Sequence, residues 1–332
     1  MKNFIISALK FAIPLGVGIF LIWYVYSLLS PNEKEELFDA MERANYWWIA
    51  LSIFLGILSH LSRAYRWKYL LQPLNYNPRF LNSFFSVMTG YLINLLVPRL
   101  GEITRCGVMS RYEKIPFNKL FGTVIAERIA DLTILTILTL SVILAQLSTL
   151  KDLLYSIIPN EISGNTIILI CMILFVSALV IIRVLYVYLK NSTKPFAIKI
   201  KSLIQGFLDG LKSIIEMENR VLFILHTLFI WLMYFAMFYL CFFSLEETSD
   251  IPIVGVLAAF VMGGISIIFI QGGIGVYPAA IMEVLFLYEI IKPTGLALGW
   301  IIWISQTAML IVMGVLSLLL ISRYNKSLKT KL

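Results

Sequence analysis

The stretch Asn94-Leu95-Leu96-Val97-Pro98-Arg99-Leu100-Gly101-Glu102-Ile103-Thr104-Arg105, followed by Glu127-Arg128-Ile129-Ala130-Asp131, places dense polar chemistry in a chain that otherwise reads as lipid-soluble. Charges at membrane depth are costly, and where they occur they line a cavity or a substrate path. A Pro-Gly break at that depth needs protein or water around it to satisfy the freed backbone groups. Residues 94–131 are therefore where function is expected.

The surrounding chain supports this reading. Its 332 residues are 60% hydrophobic and only 14% charged, with a mean hydropathy of +0.88. Soluble domains carry roughly 25% charged residues. The expected class is an all-α polytopic membrane protein, a single integral membrane domain over residues 1–332, with about 6–8 transmembrane helices. The net charge of +8 does not point to nucleic acid, because the basic residues sit in short segments beside apolar spans, as the positive-inside rule requires. Residues 4–29 read as a retained first span rather than a cleaved signal. Cys106, Cys171 and Cys241 are scattered, with neither a disulfide framework nor metal-ligand spacing.

Apolar length predicts spans at 4–29, 46–70, 117–147, 164–189, 220–245, 252–271, 274–291 and 295–322, with a shorter apolar segment at 80–97. The acidic loop 31–45 is expected outside, as are Glu246, Glu247 and Asp250. The basic segments 63–79 (with Arg63, Arg66, Lys68 and Arg79), 105–119 and 190–220 are expected inside, with the C-terminal tail. This puts the protein in the plasma (inner) membrane with both termini cytoplasmic. Because both flanks of 80–97 are inside, residues of about 80–104 form a re-entrant hairpin bent near Asn94, Pro98 and Gly101. Residues 252–291 leave and return on the outside, broken at Gln271-Gly272-Gly273-Ile274-Gly275-Val276-Tyr277-Pro278. Two full spans and one deep hairpin both fit there. Broken elements entering from opposite faces suggest an inverted repeat by topology alone; no residue-level repeat accompanies it. Residues 195–216 carry apolar residues at helical spacing, which fits an amphipathic helix at the cytoplasmic interface or packed on the bundle.

Helix geometry places Glu127 ten residues into the span that starts near residue 117, about 15 Å deep in a core of roughly 30 Å. Glu127 and Asp131 share a face, and Arg128 and Asp131 are spaced to pair. Arg99, Glu102 and Arg105 on the hairpin supply further charge. Two readings stand together: a buried ion-pair network locking hairpin to span, and groups that meet a polar headgroup. Arginines and an exposed helix N-terminus suit phosphate, while carboxylates suit a cationic group. Glu283, in an apolar run, is a further cavity candidate, with pairing to a neighbouring group as the alternative. His60 and His226 read as packing residues, and Trp23, Tyr24, Tyr46, Trp47, Trp48 and Trp67 as interface belts. Gly272-Gly273-Ile274-Gly275 is no nucleotide loop, since it follows no strand and lacks a following Lys. No cofactor, metal set or catalytic triad is expected.

At these residues the chain resembles the transmembrane, flippase-like domain family of lysylphosphatidylglycerol synthases, the membrane half of the bacterial multiple peptide resistance factor. The resemblance rests on Pro98-Arg99-x-Gly101-Glu102 with Arg105, then Glu127-Arg128-x-x-Asp131, then Gly272-Gly273-x-Gly275. It covers essentially the whole chain. It implies a lipid flippase or related transporter with re-entrant helices, in a stand-alone form without the soluble aminoacyl-transferase half. A similar membrane region accompanies an archaeal dolichol-linked glycosyltransferase. The family's late motif commonly reads Pro-Gly-Gly-x-Gly followed by an acidic residue; here Gln271 replaces the proline and Val276-Tyr277 follow, which argues against a lysyl-type headgroup.

The leading expectation is therefore translocation of a membrane phospholipid or lipid-linked headgroup, without enzymatic chemistry. Arg99 and Arg105 would hold phosphate; Glu102, Glu127 and Asp131 would hold those arginines or a cationic group. The alternatives are a membrane subunit of, or an enzyme in, lipid-linked glycosyl or aminoacyl transfer, with a separate synthase or glycosyltransferase as partner, and a scaffold without transport.

Overall fold

The computed structural model describes residues 16–97, 100–146, 214, 217–269 and 271–330. Pro98, Arg99, the expected span 164–189 and the expected amphipathic helix 195–216 lie outside the described residues. Contacts divide the chain into one unit, Met1–Thr139 with Met217–Leu332, and a second, Leu140–Glu216. Both motif regions, 94–131 and 271–278, fall in the first unit.

The described residues are helical: α1 (Gly16–Leu28), then α2 (Pro31–Arg43), α3 (Tyr46–Leu71), α4 (Phe80–Leu96), α5 (Leu100–Glu113), α6 (Phe117–Ala145), α7 (Arg220–Phe242), α8 (Ile253–Phe269), α9 (Val276–Phe286) and α10 (Lys292–Thr330). Four of these, α3, α6, α7 and α10, are long and apolar enough to cross a membrane.

Residues 31–45, expected as a loop, are largely the helix α2. Ser30 and Glu33 form a reciprocal capping box and Pro31 occupies the first turn, a combination that starts a helix even in an acidic segment. The Ser30 amide and hydroxyl, donating to the carboxylate, hold Glu33 below the usual carboxylate range. α2 buries Leu37 and Ala40 and packs on α10. Arg43 pairs with Glu247 at 2.5 Å, and the Asn45 amide donates to the Ser244 carbonyl at 2.8 Å. The two acidic segments thus meet at one end of the bundle.

The opposite end gathers the C-termini of α3 and α10 with the start of α7. Asn219 donates to Gln72 at 3.0 Å. Asn82 on α4 and Asn325 on α10 exchange amide hydrogen bonds at 3.1 and 2.7 Å, and Asn82 also bonds Glu113 on α5.

From this second end α4 and α5 form an antiparallel hairpin. A Cβ on Gly101 would fall on the Gly90 carbonyl and the Asn94 side chain, so only glycine lets the helices come this close. Asn94 Oδ1 accepts the Gly101 amide at 2.7 Å, satisfying a donor at the break. The sequence-marked Asn94 and Gly101 are thus the clasp of the hairpin.

α8 and α9 form the counterpart from the first end. α9 has 11 residues, about 16 Å of helix against a core of roughly 30 Å. The pair is broken between its two helices. Its break needs φ values of +64, +68 and +75 at Gly272, Gly273 and Gly275, the left-handed region that glycine occupies freely. The Trp303 indole of α10 donates to the Gly272 carbonyl at 2.6 Å. A Cβ on Gly272 would lie 4.0 Å from Leu95, so the late break touches the end of α4. α10 runs past both hairpins, with Gly314 against Leu92 of α4.

Candidate functional site

α3 carries a polar stripe through its apolar length: Ser52, Ser59, Arg63 and Arg66 are all buried and recur on one helical face. Arg63 and Arg66 were expected in a cytoplasmic loop. They belong to α3, which continues to Leu71, and they reach across to α6. Arg63 donates to Glu127 at 2.6 Å and to Asp131 at 2.7 Å. Arg66 bonds Asp131 at 3.2 Å and Thr227 of α7 at 2.8 Å, and lies 3.2 Å from Glu127. Arg105 of α5 donates to the other Glu127 oxygen at 2.7 Å.

Glu127 and Arg66 are 0% exposed. Moving such ions out of water costs several kcal/mol each, so they persist only when paired and hydrogen-bonded. Three guanidinium groups face two carboxylates, leaving one unit of positive charge in the cluster. Each arginine also keeps a buried Nε–H without an acceptor among the described residues. Trp67, expected in an interface belt, is instead fully buried. Its indole donates to Thr123 at 2.8 Å, and the Arg105 guanidinium stacks 4.0 Å from its ring centroid, a cation–π contact strengthened by desolvation.

The expected Arg128–Asp131 pair does not form. Asp131 points to α3, whereas Arg128 turns to α5 and pairs with Glu102 at 2.9 Å. Glu102 also accepts from Asn94 at 3.3 Å. This outer pair is accessible, at 44% for Arg128 and 23% for Glu102. Between it and the inner cluster lies a cavity of about 10 Å³ bordered by Tyr91, Asn94, Gly101, Glu102, Arg105 and Arg128. The α6 backbone makes few close approaches to the other described helices; long polar side chains span that gap.

Glu283 does not join the cavity. It sits exposed on α9, 3.4 Å from Lys292, because its helical neighbours Ile281 and Met282 take the inward face. Gly272, Gly273 and Gly275 form the break that meets α4. His226 pairs with Ser62 at 2.8 Å, and His60 is buried against Tyr91 and Tyr234. Cys106 and Cys241 are buried free thiols. Among the described residues no trio of His, Cys, Asp or Glu gathers to hold a metal ion.

A family model for the lysylphosphatidylglycerol synthase TM region matches residues 11–314. The chain belongs to this family and is a multi-pass membrane protein. It is also similar to a UPF0104 membrane protein of Methanocaldococcus jannaschii, 29% identical over 123 residues, 36% of this chain and 37% of that relative. The match thus spans just over a third of the relative's length. No solved structure matches.

Proposed function

We propose that the protein moves a phospholipid, or another lipid with a polar headgroup, between the leaflets of the inner membrane, with its C-terminal end cytoplasmic. The observation that carries this reading is the junction of two broken hairpins, entering from opposite ends, beside a charged cluster near the middle of α6. A headgroup crossing hydrocarbon needs polar groups in place of water, while its acyl chains need only lipid. Discontinuous helices at such a junction are how transporters expose backbone dipoles to a substrate. The family's lipid-synthase association supports a lipid as cargo. Transport without covalent chemistry is favoured because both buried carboxylates are engaged by arginines and neither is free to act as a base. A separate lipid-modifying enzyme would supply the cargo.

Reconstitution in vesicles with a fluorescent phospholipid tests the proposal. Flipping should exceed that of empty vesicles and slow in Arg128→Ala, an accessible residue whose loss leaves the inner cluster paired. Unchanged flipping in that variant removes the site from the mechanism. A scaffold without transport is the second reading, favoured by the ion pairing of the inner cluster; it predicts flipping no faster than in empty vesicles.

A further inference from the structure

The inner cluster has no carboxylate to spare for a cation. Glu127 is engaged by three arginines and Asp131 by two, and Glu283 stands outside beside Lys292. The guanidinium side is in the opposite condition, with surplus positive charge and three buried Nε–H donors lacking acceptors among the described residues. Unpaired buried donors favour an incoming acceptor, and arginine suits phosphate oxygens.

Arg105 also borders the small cavity, together with the Tyr91 side chain and the Glu102–Arg128 pair. At about 10 Å³ the space is of the order of a single water. No headgroup enters while Glu102 holds Arg128. That pair is the most exposed of the site and is joined by a single ion pair, whereas each inner carboxylate is shared by two or three arginines and its pairing is costly to break. The replaceable contact is therefore Glu102–Arg128.

We infer that the Glu102–Arg128 ion pair is a latch over an anion subsite, opened when a lipid phosphodiester replaces Glu102 on Arg128. Arg105 and Tyr91 border the same cavity as further donors. Arg128 keeps one anionic partner throughout, and Glu102 keeps the Asn94 amide as a donor. The inference rests on the lipid-translocation reading and narrows its substrate class to anionic phospholipids without a compensating amine.

The test is a titration of the detergent-solubilised protein with short-chain phosphatidylglycerol, short-chain phosphatidylcholine and glycerophosphate, read as the rise in melting temperature. Phosphatidylglycerol should act at a concentration about tenfold lower than phosphatidylcholine, because both offer the same phosphodiester but the choline cation meets the surplus positive charge of the cluster. Glu102→Gln, which removes the competing anion, should lower that concentration further. Arg128→Gln should abolish the preference, and Arg128→Lys should restore part of it. Equal response to the two lipids, or a preference that survives Arg128→Gln, overturns the latch. Glycerophosphate acting as well as phosphatidylglycerol overturns the lipid assignment in favour of a free anion. Binding and transport separate cleanly: phosphatidylglycerol preference with no flipping refutes translocation alone, and equal flipping of both lipids refutes the subsite alone.

Discussion

At Glu127 a single carboxylate, with no exposed surface, is shared by Arg63, Arg66 and Arg105. Its neutralisation leaves three buried guanidinium groups with only Asp131 to compensate them. Glu127→Gln is expected to destabilise the protein by about 3–5 kcal/mol, the usual cost of removing one partner from a buried ion pair. Glu283→Gln, at the exposed pair with Lys292, should change stability by less than about 1 kcal/mol. Melting of both variants in one detergent checks the contrast, and similar shifts would contradict the assignment of Glu127 as the hub. Glu127, Asp131 and Arg105 were legible in the sequence because charge at that depth is conspicuous. Arg63 and Arg66 were not, because arginines near the end of a span look the same as arginines in the loop beyond it. The usable signal was the stripe from Ser52 through Ser59 to Arg66, polar at helical spacing where lipid-facing residues would be apolar. The partner of Arg128 was out of reach for another reason: i to i+3 spacing permits a pair within a helix, but a carboxylate on a neighbouring helix competes for the same guanidinium.

The hairpin α4–α5 depends on a contact that tolerates no side chain. Gly101→Ala is expected to push α5 away from the Gly90 carbonyl and to strain the Asn94 clasp, at a cost of about 1–3 kcal/mol for overpacking. The same substitution should loosen Glu102 and Arg105, which follow on the same helix. Proteolysis or hydrogen exchange across residues 94–113 measures this, and protection equal to wild type would show that the close approach is dispensable. Both helix breaks were readable from their Pro and Gly residues. The lengths of the helices beside the late break were not. Helix lengths of 17 residues for α8 and 11 for α9 arise from where the glycines take left-handed backbone, which hydropathy does not encode. The helix α2 was missed for a related reason: charge counting treated it as a loop, although Ser30 and Glu33 spell a capping box.

For the molecule as a whole, α2 and the far end of α10 mark opposite ends of the bundle. Maleimide applied to intact cells should label Glu35→Cys but not Ser327→Cys, which should react only after permeabilisation. Cys106 and Cys241 are buried and should contribute little background, and Cys171→Ser removes the third native thiol. Labelling of both introduced thiols from one side would overturn the arrangement of the two hairpins as well as the orientation. The overall plan of long spans was legible because four stretches of about 20 or more apolar residues have few other solutions in lipid.

α10 touches the late break through Trp303, the early hairpin through Gly314, and the base of that hairpin through Asn325. These marks are eleven residues apart in each case, close to three whole turns, so they fall along one side of the helix. α10 is in effect a ruler with three graduations. Loops elsewhere can gain or lose residues locally, but deletion of one residue between Trp303 and Gly314 turns everything beyond it by about 100°. Leu92 and Asn82 would then both lose their contacts with this helix while Gly272 kept its own, so the length of this helix is as much a part of the site's specification as any charge within it.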